Sequence, residues 1–162
     1  MNPKRSTYTV EEAKRKMEGY CAYQERSHKE VEDKLKELGL ITQAREMILL
    51  HLLEQDYLNE ERFSRSFARG KFRMKKWGRK RIEIELKYRG VSSYNIRQGL
   101  SEIEEKDYEE ALREVARKRY ESTLEPNPMK KRKKVADYLL RKGFESNRVY
   151  AVLMDLENED QS

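Results

Sequence analysis

A run of positively charged residues in the middle of the chain is the strongest indication of a binding site in this sequence. From Arg62 to Arg89 the chain has twelve basic residues and two acidic ones, Glu83 and Glu85. A second run, residues 130–142, has seven basic residues and one acidic residue. Lys and Arg at this density attract a polyanion, and because salt screens the attraction over about 8 Å, they act on a partner in contact. The predicted chemistry is the binding of phosphates or carboxylates.

The positive charge is segregated along the chain. The net charge is +6, yet residues 1–61 contain ten basic and thirteen acidic residues. We therefore expect the polyanion to contact the later part of the chain and the first part to contact protein.

Helical spacing predicts how the basic residues are presented. Four arginines separated by 3, 4 and 4 residues fall on one helix face, which we expect to be solvated, beside a packed phenylalanine face. Two further basic clusters are predicted to begin helices, where free backbone N–H groups also favour phosphate. The candidate residues are Arg62, Arg65, Arg69, Arg73, Lys75, Lys76, Trp77, Arg79, Lys80, Arg81, Lys131, Arg132, Lys133 and Lys134.

Each candidate also has a simpler explanation. Exposed Lys and Arg can merely keep helix faces soluble, and residues 130–134 can resemble a nuclear-targeting run by chance. Trp77 lies among Lys75, Lys76 and Arg79, where it can stack on a base or seal a core between helices.

No catalytic or metal-binding pattern accompanies the basic runs. His28 and His51 lie 23 residues apart with no Cys or carboxylate at ligand spacing, and there is no nucleophile elbow or phosphate-binding glycine loop. Cys21 falls on an apolar helix face and is predicted to be buried. We expect no enzyme activity, no metal and no cofactor.

Three helix endings of the same type position these residues. Gly39, Gly90 and Gly143 lie 51 and 53 residues apart, and each follows Leu by four residues and precedes an apolar residue. This pattern predicts a helix that ends with glycine in the left-handed conformation, and its recurrence is typical of stacked helical modules.

Caps and apolar periodicity predict three helices in each module. Thr9, Asn59 and Asp107 are expected to cap the first helices, and Thr42, Ser93 (or Ser92) and Ser146 the third. The predicted helices cover residues 10–26, 28–38, 43–55, 60–73, 79–89, 93–103, 108–122, 129–142 and 146–157.

The predicted fold is all-α, with three tandem three-helix repeats forming an elongated, curved helical array. Charged residues make up 41% of the chain and the mean hydropathy is −1.09, so three small cores suit it better than one large core. The predicted domains are repeat 1 (1–57), the basic repeat 2 (58–104), repeat 3 (105–158) and a disordered tail (159–162). Because no signal peptide or stretch of about 18 apolar residues is present, we expect a cytoplasmic protein that binds no membrane.

Several short segments are informative when they are taken in order: Arg26-Ser27 with Val31, Leu35 and Gly39-Leu40; 57–63 with Phe67; 78–82 with Glu85-Leu86 and Gly90-Val91; and 135–139 with 141–144. Together they resemble the RecX family of regulatory proteins, from about Thr9 to Leu156. Each segment alone is weak evidence for the family, but the order and spacing of the segments are specific. The chain departs from the family at Asp56, where Gly is usual, and in the more acidic second helix of repeat 1.

The resemblance implies three three-helix repeats and a regulator of DNA recombination, repair and the SOS response. Such a protein binds the filament of the RecA recombinase, lies in its groove, and limits filament growth and strand exchange. We expect a monomer that contacts single- or double-stranded DNA through repeats 2 and 3. Two alternatives stay open: a general nucleic-acid-binding protein reading bases with Asn95, Arg97 and Gln98, and a helical scaffold for an acidic protein.

Overall fold

The part of the chain that the computed structural model describes, residues 8–162, is built from helices joined by short connections. Nine α-helices and no β-strand occur in that part, which confirms the all-α prediction and the predicted number of helices. They are α1 (Val10–Tyr23), α2 (His28–Glu37), α3 (Thr42–Glu54), α4 (Glu60–Lys75), α5 (Arg79–Tyr88), α6 (Ser93–Leu100), α7 (Glu105–Ser122), α8 (Pro128–Arg141) and α9 (Ser146–Asp160).

Three of the predicted helix caps are confirmed by hydrogen bonds. The Thr9 hydroxyl accepts from the N–H of Glu12 at 3.1 Å, and the Asn59 side chain accepts from the N–H of Arg62 at 2.9 Å. At α6, the cap is Ser92, whose hydroxyl accepts from the N–H of Asn95.

The other three predicted caps are wrong because their helices begin earlier than expected. Thr42 and Ser146 are the first residues of α3 and α9, and Asp107 lies in the first turn of α7. The residues that precede these helices, Ile41, Glu145 and Glu104, make no side-chain cap hydrogen bond.

The three glycine helix endings are confirmed. Gly39, Gly90 and Gly143 have φ angles of 76°, 74° and 100°. The N–H of Val91 donates to the carbonyl of Leu86 at 3.1 Å, and that of Phe144 donates to the carbonyl of Leu139 at 3.2 Å. These are the bonds of a Schellman turn, which binds carbonyls that the helix leaves unpaired.

The chain divides into two compact units. The first combines residues 1–66, described from residue 8, with residues 86–99. Its core includes Met17, Val31, Leu35, Ile48 and Leu52, all nearly inaccessible to solvent. Cys21 is also buried in this core, as predicted.

The second unit combines residues 67–85 with residues 100–162. Tyr108 is fully buried in it, and its ring lies 5.9 Å from that of Phe72 and 5.4 Å from that of Phe144. The Tyr108 hydroxyl donates to Glu145 at 2.5 Å and accepts from the N–H of Arg79 at 3.0 Å. The ring is therefore buried while its hydroxyl both donates and accepts a hydrogen bond.

The helices α4 and α5 contribute to both units, so the three repeats 1–57, 58–104 and 105–158 stay a prediction from the helix pattern. The helix α9 extends to Asp160, so residues 159 and 160 of the predicted disordered tail are helical. Within residues 8–162, no helix is both long enough and apolar enough to cross a bilayer.

Candidate polyanion-binding surface

The first two arginines of the predicted stripe on α4 are bound to polar groups of their own unit. The Nε of Arg62 donates to Glu25 at 2.6 Å and its Nη1 to Asp56 at 3.1 Å. The hydrogen bond with Glu25 is the main reason that the pKa of Arg62 is raised. Arg65 donates to the amide oxygen of Gln98 at 2.7 Å.

The other two arginines of the stripe belong to the second unit. Arg69 forms an ion pair with Glu102 at 3.1 Å, whereas Arg73 is exposed and pairs with no acid among the described residues. Three of the four members of the stripe are therefore paired and only partly exposed, with 33–39% of their side-chain surfaces accessible. The pattern of α4 alone shows the shared face but not the acids that other segments bring to it.

The beginning of α5 does not offer the free N–H groups that its sequence suggests. The N–H of Gly78 donates to the carbonyl of Lys142 at 2.7 Å, and that of Lys80 to the carbonyl of Gly143 at 3.0 Å. The N–H of Arg79 is taken by the Tyr108 hydroxyl. These three N–H groups are therefore already hydrogen-bonded, and a phosphate contact at the beginning of α5 stays a prediction for its side chains.

The N–H groups at the beginning of α8 are also occupied, in this case by the side chain of Asn127. Its side-chain oxygen accepts from the N–H groups of Met129 and Lys130 at 3.0 and 3.1 Å. Phosphate would have to displace this cap, which the sequence prediction overlooked.

Many of the remaining candidate cations are already paired. Arg79 forms an ion pair with Glu105 at 2.9 Å and stacks on Tyr108, with 3.9 Å from its guanidinium carbon to the ring centre. On α8, Arg132 makes two hydrogen bonds of 2.7 and 2.6 Å with Glu157. The other α8 pairs are Lys133 with Asp137, Lys134 with Glu125, and Lys131 with the ring of Tyr120.

Trp77 is the centre of a different group of cations. The guanidinium carbon of Arg81 lies 4.2 Å from the centre of the indole ring, and the Lys71 ammonium nitrogen lies 5.0 Å from it. The indole also meets the Phe67 ring edge to face, with 6.3 Å between the ring centres. Trp77 thus packs against Phe67 and is partly covered by cations, and its base-stacking role stays a prediction.

Lys142 joins this group from the end of α8. Its ammonium donates to the carbonyl of Lys75 at 2.8 Å. The pKa of Lys142 is lowered, first by burial and then by the charges of Arg81 and Lys75. Lys71 and Lys142 both lie in the basic runs, but sequence reasoning did not select them, and Lys142 comes close to Lys75 and Arg81 only in the folded chain.

We call Lys71, Lys75, Trp77, Arg81 and Lys142 the Trp77 cluster. Within the described part of the chain, no carboxylate pairs with any of its four cations. Lys76, Lys80 and Arg73 also form no ion pair there, although Arg73 and Lys76 line a cleft with Asp107, Glu110 and Glu114. The cluster is therefore the position in the second unit where positive charge is concentrated and uncompensated, and an anion would be stabilised there.

Two of the three α6 side chains predicted to read bases are engaged within the first unit. The Asn95 amide donates to Glu60 at 2.7 Å, and Gln98 accepts from Arg65. Only Arg97 of the three predicted readers is exposed and without such a bond. This arrangement does not favour sequence-specific recognition by α6.

Comparison with known families and structures agrees with the helical architecture. Family models for the second three-helix domain of RecX and for its third match residues 59–100 and 107–153, together more than half of the chain. The chain belongs to the RecX family. This confirms the resemblance found in the sequence segments.

The similar proteins include several RecX regulatory proteins. That of Lactobacillus johnsonii is 33% identical over 92 residues, which are 57% of this chain and 34% of that protein. That of Prosthecochloris aestuarii is 27% identical over 139 residues, which are 85% of this chain and 89% of that protein. The chain thus spans about a third of the first relative's length and most of the second's.

Two crystal structures show the same fold. RecX from Lactobacillus salivarius aligns with a TM-score of 0.80 at 24% identity, over 91% of this chain and 96% of that one. A second regulatory protein RecX also aligns with a TM-score of 0.80, at 25% identity, over 90% of this chain and 71% of that one.

Proposed function

We propose that this RecX-family chain binds the nucleoprotein filament of the RecA recombinase and lowers its ATP hydrolysis and strand exchange. The observation that carries the proposal is the Trp77 cluster: Lys71 and Arg81 lie over one indole, Lys142 binds the carbonyl of Lys75, and no carboxylate among the described residues pairs with any of the four cations. A nucleoprotein filament offers phosphates and acidic side chains that would supply the missing negative charge.

The cluster refines which residues of the basic runs contact the filament. Arg62, Arg69, Arg79 and Arg132 would have to leave a carboxylate to bind a phosphate. Arg81 and Lys71 would not, because only aromatic rings engage their charged groups in the described structure. We therefore assign the DNA contact, single- or double-stranded, first to the Trp77 cluster and to Arg73, Lys76 and Lys80.

The first unit has a different proposed role. Its sequence up to residue 61 is net acidic, and α3 exposes Met47 and Leu50, with 64% and 55% of their surfaces accessible. Residues 62–66 and 86–99 of the unit add five basic residues and no acidic one, so the acidic excess belongs to the stretch up to residue 61, where an acidic, partly apolar surface suits protein better than DNA. We propose that this unit contacts recombinase subunits while the second unit contacts phosphates.

The two alternative functions, a general DNA reader and a scaffold for an acidic protein, require different side chains to be available. A general DNA reader is disfavoured by the internal hydrogen bonds of Asn95 and Gln98. A scaffold for an acidic protein would use the same cations as the filament regulator, and only an experiment with DNA separates these two functions.

The test measures ATP hydrolysis by RecA on single-stranded DNA with increasing amounts of the chain. The proposal expects inhibition by the natural chain and a loss of inhibition of roughly tenfold in a Lys71→Ala/Arg81→Ala variant, since two phosphate-binding cations are removed. Arg15→Ala/Lys16→Ala is the matched control, because it removes the same charge from α1 in the first unit.

Mobility-shift assays with and without RecA complete the test. DNA binding by the chain alone with no effect on RecA would favour a general DNA-binding protein. If the chain binds neither DNA nor the filament, the scaffold for an acidic protein is the remaining function. Equal loss of inhibition in the α1 control would mean that net charge, and not the Trp77 cluster, is responsible.

A further inference from the structure

A cleft beside α7 and α8 in the second unit has the composition of an anion-binding site. It has a volume of about 230 Å³ and is lined by Val115, Lys118, Arg119, Ser122, Tyr138 and Lys142. Three of these six residues are cationic, two carry a hydroxyl, and no acidic residue of the described chain lines it, although Lys118 pairs with Glu114 at 4.0 Å. None of them except Lys142 belongs to the surface assigned above.

The cleft repeats the arrangement seen around Trp77. The guanidinium carbon of Arg119 lies 4.2 Å from the centre of the Tyr138 ring, the same distance that separates Arg81 from Trp77. A guanidinium that stacks on a ring keeps its edge N–H groups available for two parallel hydrogen bonds to a phosphate.

Lys142 is common to both places. Its ammonium nitrogen lies 5.9 Å from the centre of the Tyr138 ring and donates to the carbonyl of Lys75 in the Trp77 cluster. Two arginine–aromatic pairs therefore flank a single lysine within one unit.

We propose that the α7–α8 cleft is a second phosphate-binding site and that it continues the Trp77 cluster, with Lys142 between them, as a track for one nucleic-acid backbone. The inference rests on the proposed function, and it extends the contact to α7, which the basic runs do not include. The cleft also replaces Lys131–Lys134 as the contact from predicted repeat 3, since those cations are engaged by Glu157, Asp137, Glu125 and Tyr120.

Nucleic acid fits this track better than an acidic protein does. A repeated arrangement of guanidinium, ring and lysine matches a polymer that repeats one negative charge at a regular interval. Carboxylates on a folded protein surface lie at irregular positions and would rarely match two such pairs.

The test compares two double variants of α7 that remove equal charge. Lys118→Gln/Arg119→Gln changes only the cleft and leaves the Trp77 cluster intact. Arg113→Gln/Arg117→Gln is the control, because these arginines lie on the same helix, are similarly exposed, and pair with Asp155 and Glu159 instead of lining this cleft. Thermal melts check that both variants stay folded.

The measurement is the affinity of each purified full chain for fluorescent oligothymidylate at several salt concentrations. The cleft variant is expected to bind roughly tenfold more weakly, and the slope of log affinity against log salt should shrink by about 0.7 for each phosphate that the variant no longer binds. The control should change affinity less than about twofold, as expected for a distant surface charge. Equal weakening in the two variants, or no weakening in either, would overturn the proposal.

Further comparisons distinguish nucleic acid from other ligands of the cleft, and the cleft proposal from the proposed function. If a short oligonucleotide or inorganic phosphate at constant ionic strength saturates the cleft as well as a long oligonucleotide, the site binds single phosphates and the track is wrong. If the cleft variant keeps its DNA affinity but loses inhibition of RecA, the occupant is an acidic protein surface and the nucleic-acid assignment is wrong. If the natural chain has no effect on RecA, the proposed function fails, and the DNA measurement still decides the cleft.

Discussion

The backbone of Gly78 lies directly against the backbone of Gly143. The N–H of Gly78 donates to the neighbouring carbonyl of Lys142, and the carbonyl of Gly143 accepts from Lys80. A Cβ atom built on Gly78 would overlap the carbonyl group of Gly143 and the nitrogen of Phe144. In the second unit, the beginning of α5 can therefore approach the end of α8 only because both positions lack a side chain.

Gly78→Ala should destabilise the chain. The added methyl group meets backbone that cannot rotate away, so we expect a loss of about 1–3 kcal/mol in the free energy of unfolding. Urea titration followed by circular dichroism measures it. Gly70→Ala is the control: no heavy atom lies within 4 Å of its Cβ position inside α4, so a neutral effect or a gain of up to about 1 kcal/mol is expected. Equal effects of the two changes would contradict the close approach.

Substitution of the helix-ending glycines Gly90 and Gly143 by Ala should destabilise the chain to different extents. Gly90 has φ of 74° and open space around its Cβ position, so Gly90→Ala should cost only the backbone strain of about 1–2 kcal/mol. Gly143 has φ of 100°, and a Cβ atom there would also overlap Arg81, so Gly143→Ala should cost more. Thermal melts of both variants test the order, and a larger effect at Gly90 would contradict it.

Lys76→Gly should raise stability while it lowers DNA affinity. Lys76 has φ of 55°, a left-handed conformation that costs a non-glycine residue about 1–2 kcal/mol. Removing the strain should stabilise the fold by up to about 1 kcal/mol after the flexibility of Gly in the unfolded chain is included. Lys75→Gly, within α4, should instead destabilise. Unfolding and oligonucleotide titrations on the same samples would show the opposite signs, and a destabilised Lys76→Gly would refute the strain.

Arg69→Ala and Arg81→Ala should separate stability from binding. Arg69 pairs with Glu102 on a partly exposed surface, so its removal should cost up to about 1 kcal/mol of stability with little change in DNA affinity. Arg81 contacts no carboxylate in the described structure, so Arg81→Ala should mainly weaken DNA binding and reduce its salt dependence by about 0.7. Should Arg69→Ala weaken binding as much, the arginine stripe predicted from the sequence would be the contact surface after all.

Alkaline pH should destabilise the fold through Tyr108. Burial, followed by the hydrogen bond to Glu145, raises the pKa of this phenol far above its ordinary value of 10.0. Below pH of about 10 the phenol is protonated in both states and its contribution to stability is complete; above it the unfolded chain loses the proton first, so stability falls as the pH rises. Urea titrations between neutral and alkaline pH should show this fall.

Tyr108→Phe supplies the comparison for the alkaline effect. The variant should be less stable at neutral pH, because Glu145 and the N–H of Arg79 lose their partner, by about 1–3 kcal/mol. Its decline above pH of about 10 should be shallower, since one ionising group is missing. A decline as steep as that of the natural chain would assign the effect to other tyrosines, such as Tyr120, whose pKa burial and Asp160 raise to about 12.

The elements of the fold follow from local sequence. Gly39, Gly90 and Gly143 adopt positive φ because glycine alone tolerates it without strain, and each stands at a helix end. The hydroxyl of Thr9 and the amide of Asn59 cap helices because they lie next to the N–H groups that need an acceptor. Such interactions span only a few residues, so spacing alone predicts them. Prediction failed at Thr42, Ser146 and Asp107, where the helix already includes the polar residue expected to precede it.

The availability of each cation was decided by the tertiary structure. The sequence shows that Arg62 and Arg69 share a helix face, but their partners, Glu25 and Glu102, lie 37 and 33 residues away along the chain. Lys142 is 61 residues from Arg81, yet it lies close enough for the charge of Arg81 to lower its pKa. Composition determined that this chain is basic and helical periodicity determined its helices, because both are local properties. Packing determined which charges are neutralised, because an ion pair depends on distance in space and not on separation in sequence.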